Sequence, residues 1–241
     1  MSKETIAILI PDLRSGGAER VCIYLANAFV ARGHQVDMVL MRAQGDLMPL
    51  LDARVRVVDL HAPKVRNLYG PLRRYLLQTQ PAAVLANMWP LTVMAVGVTR
   101  LSRLPTRVAV VEHCNWSASI HTHNLLHRIA FRLSMRALMP LADVRVGVSG
   151  GVARDLENVA GLREGSVCTV FNPVTGIHST SDALPVPHGM AHEWVSSPHK
   201  RIIAIGTLKS QKRFDYLLRA FALLAQRDAK LLILGEGGER Q

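Results

Sequence analysis

Short apolar runs alternate with segments of helical period along most of this chain, and few folds accommodate that rhythm. Thr5 to Ile10 is an apolar run; helix-period Gly17 to Arg32 follows, then the runs Gln35 to Met41 and Val55 to Leu60, a helical Leu68 to Gln80 and the run Ala83 to Ala86. The pattern continues as helix Leu91 to Ser102, strand Arg107 to Glu112, helix His123 to Met139, strand Val144 to Val148, helix Gly150 to Val159 and strand Val167 to Phe171. Such alternation predicts an α/β protein whose Rossmann-like parallel sheet is covered on both faces. In the opening helix Ala18, Val21, Cys22, Leu25 and Phe29 form one apolar stripe, and Gly33 supplies the stop.

Between Asn172 and His199 the periodicity disappears into Thr, Ser, Gly, Pro and His, as in a linker. The expected division is a first domain over 1–175, a linker over 176–199, and a new βαβ unit over 200–241. That unit reads as strand Arg201 to Ile205, helix Lys212 to Arg227 with Phe214, Leu217, Leu218, Phe221, Leu224 and Ala225 at helical spacing, and strand Ala229 to Leu234. A complete Rossmann-like domain needs about 100 residues, so the expectation is that 200–241 is only the opening of one.

Composition narrows the setting. With 49% hydrophobic residues in 241 the chain fills globular cores and is not disordered. Cys22, Cys114 and Cys168 are scattered and odd in number, which implies neither a disulfide framework nor a zinc knuckle and fits a reducing cytoplasm. The amino-terminal apolar run is too short for a signal peptide. Tyr75 to Thr99 carries no charge, but Gln78, Gln80, Pro81, Asn87 and Pro90 interrupt it, and it reads as a buried strand and a packed helix rather than a membrane span.

Of the net charge of +11, nine lie within residues 61–136, where ten Arg or Lys face one acid, Glu112. A field this local draws the chain to an anionic surface. Nucleic acid is set aside, because the block lacks interleaved aromatics and any known reading motif. The expected partner is the inner face of a cell membrane, met by Arg73, Arg74, Arg128, Arg132 and Arg136, with Leu68, Leu72, Leu76, Ile129 and Leu133 as apolar contacts. His123 and His127, with His121 close by, and His188 and His192 tempt a metal reading, but no carboxylate completes either set; no metal or other cofactor is expected.

Chemistry is suggested where glycines stand between strand and helix. Ser15-Gly-Gly-Ala-Glu-Arg-Val21 follows the first strand and opens the first helix, so Gly16 and Gly17 let a phosphate or diphosphate approach unpaired N–H groups. No Walker motif and no Gly-x-Gly-x-x-Gly occurs, against a P-loop NTPase or an amino-terminal dinucleotide site. His113 follows the strand Val108 to Glu112, at the carboxyl edge where ligands of open parallel sheets bind. Ser149-Gly-Gly151 is not a nucleophile elbow.

The Gly-Gly-Ala-Glu-Arg turn, Phe171-Asn-Pro-Val174, the stretch Gly206-Thr-Leu-Lys-Ser-Gln-Lys-Arg-Phe-Asp215 and the turn Leu234-Gly-Glu-Gly237 together resemble the family-4 retaining glycosyltransferases of GT-B fold, in order and spacing over nearly the whole chain. The resemblance implies transfer from a nucleotide-sugar, of UDP type, to a lipid-linked or cell-envelope glycan, with the nucleotide-sugar a substrate and no metal required. It implies that Lys212, with Lys209, Gly206, Gly235 and Glu236, serves the donor diphosphate, that His113 contacts the donor sugar or orders the acceptor with help from Glu112 and Asn115, and that Glu19 and Arg20 face the acceptor. Two departures stand out. Thr207 replaces a frequent arginine, and the family's Glu-x7-Glu, which grips sugar and ribose, would fall beyond Gln241. The competing expectation is an inactive remnant or binding module that needs a partner.

Overall fold

The computed structural model describes residues 4–14, 16–120, 124–173, 194–224 and 228–240, and the chain separates into two compact units, residues 1–175 and 176–241. The first unit holds seven strands: β1 (Thr5–Ile10), β2 (Gln35–Leu40), β3 (Arg56–Asp59), β4 (Ala83–Asn87), β5 (Arg107–Glu112), β6 (Val144–Gly147) and β7 (Cys168–Thr169). They pair in the order β3-β2-β1-β4-β5-β6-β7, every pair parallel. Strand order therefore reverses between β1 and β4, where Ile6 stands opposite Ala83 and Leu9 opposite Ala86.

The reversal sorts the helices. Right-handed crossovers put those before and after such a point on opposite faces, and alternate residues of β1 feed opposite cores. Ile8 and Ile10 pack with Cys22, Ile23, Ala26 and Val30 of α1 (Gly17–Ala31). Ala7 and Leu9 pack in the other core with α2 (Tyr69–Thr79), α3 (Leu91–Leu101), α5 (Leu125–Leu138) and α6 (Gly150–Ala160). Residues Ala7 to Ile10 are wholly buried, the continuous apolar reading of a strand covered on both sides.

Local chemistry sets the helix ends and shifts several expected boundaries. The α1 stripe is rotated: Ile23, Ala26 and Val30 are buried, while Leu25 and Phe29 pack only at the margin. Gly33, at φ +88°, ends α1 as foreseen, with its N–H on Val30 O (2.9 Å) and the His34 N–H on Phe29 O (3.1 Å), a Schellman pair. Helix α5 starts at Leu125, because Asn124 caps it by accepting from the His127 N–H at 2.9 Å. A short helix α4 (Trp116–Ser119), not foreseen, follows β5. Strand β7 has two residues rather than five.

In the second unit β8 (Arg201–Ile205) and β9 (Lys230–Leu234) pair in parallel around α7 (Phe214–Ala222). Helix α7 begins after Lys212 because a 3-10 turn over Ser210–Lys212 and a left-handed Arg213, φ +50°, intervene. Among the described residues of this unit none is buried; Ile205 is 73% and Leu223 86% exposed. Most of the expected linker lies outside the described residues, as do His121, His123, His188 and His192. Among the described residues no three His, Cys, Asp or Glu side chains gather as a metal site, and no helix is long and apolar enough to cross a membrane.

Candidate functional site

Ligands of open parallel sheets bind outside the carboxyl ends of the strands where their order reverses. Here that point is flanked by the loop from β1 to α1, the end of β4 and the end of β5. Asn87 closes β4 and is buried. Its amide nitrogen donates to Leu9 O (3.3 Å) and Leu85 O (3.1 Å), so its Oδ1 faces His113 Nε2 at 3.0 Å. A carboxamide oxygen only accepts; Nε2 therefore carries the ring proton. His113 Nδ1 is left as a buried acceptor with no partner, and burial pushes the imidazole pKa down to about 4. His113 is thus neutral at physiological pH, a polar group without charge.

The residue after Asn87, Met88, sits in the left-handed region at φ +60°, a conformation costing about 1–3 kcal/mol that concentrates at functional sites. Glu112, next to His113, is fully buried. Its Oε1 accepts from Thr92 Oγ1 (2.9 Å), and its Oε2 from the Trp116 indole N–H (2.9 Å) and the Trp89 N–H (3.3 Å). With no cation beside it, burial outweighs these bonds and pushes its pKa up to about 7. The Trp116 indole that bonds Glu112 belongs to an aromatic cluster with Trp89, Phe131 and His127, whose ring centroids lie 4.9–5.7 Å apart. Glu112 ties the β4–α3 loop to α4 through these bonds.

Asn115 is likewise engaged, since its side chain caps α4 by accepting from the Ala118 N–H at 3.1 Å. Asp155 of α6 receives the Trp116 and Ser117 N–H groups at 2.6 and 3.2 Å, so α4 is held from both sides. Gly16 and Gly17 open α1 as expected, but a Cβ at Gly16 would stand 2.1 Å from Glu19 Oε2. The Glu19 carboxylate thus folds over the position proposed for an anion. Arg20 is exposed. Asp12, buried at the end of β1, loses solvation, yet bonds from the Arg14 side chain and N–H hold its carboxyl below the usual value. Burial raises the Cys114 thiol to about 12, which removes it as a nucleophile.

The second unit assembles its own candidates. Gly206 follows β8 and Gly235 follows β9, and a Cβ at Gly235 would stand 1.8 Å from Gly206 O. Gly235 is thus required by two loops packed backbone to backbone, with Leu208 N–H on Glu236 O at 2.9 Å, whereas a Cβ at Gly206 would meet Phe214 at an ordinary 3.5 Å. The stem of Lys212 lies against Gly206, and the Lys212 N–H reaches Lys209 O at 2.8 Å. Glu236 is ion-paired with Arg240.

The expected basic surface is partly corrected. Leu68, Leu72 and Leu76 are buried in the core, because that face of α2 packs on the sheet; they offer no outward contact. Arg73 and Arg74 are exposed on α2. Helix α5 turns Leu125, Leu126, Ile129 and Leu133 outward at 67, 79, 45 and 65% exposure, with Arg132 and Arg136 exposed and Arg128 half-buried on the same helix. Arg136 Nε also lies near Gly161, at the end of α6, where a cation meets the negative pole of that helix. Sequence reasoning missed Asn87, Met88 and Asp155; the one available signal was a polar Asn ending the apolar run Ala83 to Ala86.

The family model described as Glycosyltransferase Family 4 matches residues 15–175. No curated protein matches the chain. Among solved structures, the chain is similar to the lipopolysaccharide outer core galactosyltransferase WaaB in its apo form (16% identity, TM-score 0.64) and to Anabaena Alr3699/HepE in complex with UDP and glucose (16%, 0.67); each likeness covers 98% of this chain and 62% of the other. A glycosyltransferase from Rickettsia africae is similar at 18% identity and TM-score 0.69, covering 98% of this chain and 61% of that one. The chain thus spans about three-fifths of the length of these structures. At such identities the likeness establishes the fold.

Proposed function

Because the chain belongs to glycosyltransferase family 4 and has the α/β fold of the GT-B enzymes, we propose that it serves transfer of a sugar, with retention, from a UDP-sugar to a lipid-linked or cell-envelope glycan. The observation that carries this reading is the convergence of Asn87, His113 and the α1 amino terminus on the reversal point of the first sheet. The UDP in the HepE structure and the lipopolysaccharide named for WaaB support the donor and acceptor classes. Such a transfer builds negative charge on the leaving diphosphate and positive charge on the sugar. Lys209 and Lys212 supply cations to the first. A neutral His113 supplies a hydrogen-bonding edge without opposing the second. Arg20, exposed on the first turn of α1, is assigned to the acceptor in this reading, while Glu19 is turned back over Gly16.

Saturation-transfer NMR with UDP and UDP-sugars tests the donor half: signal is expected for the uridine protons and is expected to fall when Lys209 and Lys212 are both changed to Ala. Signal that ignores both lysines sinks the assignment. The second reading, a module completed by another chain or segment, is favoured by one observation: the β8–α7–β9 unit has no buried residue among those described.

The place of work in this proposal is the inner face of an anionic membrane. Helix α5 carries exposed leucines beside arginines and no acid, the composition of a helix that lies on anionic lipid. Co-sedimentation with phosphatidylglycerol vesicles should appear at low salt and fade as salt rises; binding indifferent to lipid charge refutes the membrane role.

A further inference from the structure

The first sheet has a second edge, and a cavity of about 650 Å³ opens there, at the amino ends of β1, β2 and β3. Thr5, Gln35, Arg54, Arg56, Gln78 and Thr79 line it together with Asp37. Because the strands are parallel, the six residues of β1 separate this edge from the candidate functional site, about 20 Å at 3.3 Å per residue.

Two arginines are clamped at the cavity. Asp37, 3% exposed, accepts from Arg56 Nε at 2.8 Å, from Arg56 Nη2 and from the Tyr75 hydroxyl at 2.7 Å. Arg54, just ahead of β3, gives Nε and Nη2 to Asp52 at 2.9 and 2.8 Å. Both pairs use the same edge of the guanidinium, so neither Nη1 has a hydrogen-bond partner among the described residues. The two side chains remain 63 and 59% exposed, open to a ligand. A buried carboxylate paired in this way adds little stability over apolar packing of the same volume. What Asp37 does is hold a planar donor in a fixed place.

The lining selects its occupant. Each arginine is offset by its own aspartate, and α1 and α2 both end at the cavity, where Gly33, His34, Gln78 and Thr79 form part of the wall. A phosphate would therefore meet neutralised pairs and the negative poles of two helices. A hydrocarbon would desolvate the polar groups and find only Val30 and Val36, 5 and 2% exposed. An extended peptide adds along the open side of an edge strand, whereas this cavity lies across strand ends. A neutral saccharide matches: each hydroxyl is one donor and two acceptor sites, suited to the arginine and glutamine N–H groups and to the oxygens of Gln35, Gln78 and Thr79. The volume lies within the roughly 300–1,000 Å³ of small-molecule sites.

We propose that this cavity is a second saccharide site, which takes a neutral oligosaccharide by its hydroxyls and stands apart from the carboxyl edge. That its occupant is an outlying part of the acceptor rests on the glycan reading of that acceptor.

The test is saturation-transfer NMR of the 241-residue protein with maltotriose, cellotriose and mannotriose, each titrated alone. Signal from at least one is expected. Its Kd should rise roughly ten-fold in Arg54→Lys, which keeps the charge without the fork, and in Gln78→Ala. Both residues are exposed, and both variants should melt near the parent temperature. No signal from any of the three sugars, an unchanged Kd in both variants, or displacement of the sugar by millimolar inorganic phosphate overturns the proposal. Uridine signal from UDP, read in the same variants, should be unchanged, so failure of the amino-edge site is distinguishable from failure of the transfer reading.

Discussion

Glu112 and His113 are sequence neighbours whose burial acts on stability with opposite slopes in pH. The Glu112 pKa is raised to about 7 by burial, so between about pH 4.5 and 7 the folded state holds more protons than the unfolded one and stability falls as pH rises. The scale is on the order of 3 kcal/mol at most. His113, lowered to about 4 by burial, gives the reverse: stability is lost as pH falls below about 6.5 toward 4. Glu112→Gln should keep the fold, since the amide oxygen can accept both indole and backbone N–H groups while its nitrogen donates to Thr92 Oγ1. The two slopes oppose between about pH 4.5 and 6.5, so denaturant melts of the parent should stay nearly level there while those of Glu112→Gln gain stability as pH rises under His113 alone; parallel curves for both proteins would move the titrating group elsewhere. His113→Gln, keeping only the Glu112 slope, should lose stability as pH rises over the same window. In a form of the enzyme that turns over, His113→Ala should lower turnover far more than melting temperature, and unchanged turnover at equal stability would make the histidine structural.

Elements repeat the lesson that position on a helix decides what a residue type means. Leucines occur on both α2 and α5, but those at 68, 72 and 76 are inside and those at 125, 126 and 133 are outside. Leu126→Ser should therefore leave the melting temperature nearly unchanged and weaken vesicle binding, whereas Leu72→Ser should unfold the first unit. At about 1 kcal/mol per basic residue near an anionic surface, changing Arg128 and Arg132 to Ala should lower vesicle affinity roughly ten- to thirty-fold; co-sedimentation at parental level would place the contact on another face. Helix α1 depends on Gly33 in the same specific way. A Cβ at φ +88° strains the Schellman turn, and Gly33→Ala should cost about 1 kcal/mol by denaturant melt.

At the scale of the whole chain the two units differ in what holds them. The first buries two apolar cores around a seven-stranded sheet, while the described part of the second pairs two strands and one helix with none of its side chains buried. Local opening follows buried apolar contact, so amides of β8 and β9 should exchange with deuterium much sooner than those of β1 and β4. Equal protection would show that the second unit is covered in solution. Titration calorimetry of this chain with UDP-sugars should give no resolvable heat, because the turns of the second unit alone support only the weak binding that saturation transfer detects, and robust transfer by it alone would show that the donor site is complete.

The alternation of apolar runs and helical periods was enough to establish a parallel α/β sheet, its strand sequence and most helix spans, because each element must bury a face whose period is written in the residues themselves. His113 was legible too, since the end of a parallel strand is a place recognisable along the chain. The rest depended on partners distant in sequence. Asn87 becomes the partner of His113 only when β4 lies between β1 and β5, and Asp155 becomes a cap for α4 only when α6 packs beside β5. The buried side of α1 and the outward turn of the α5 leucines follow from how helices settle on a twisted sheet. The sequence determined which elements form; tertiary packing decided which side chains meet, because such contacts arise between residues that no local period relates.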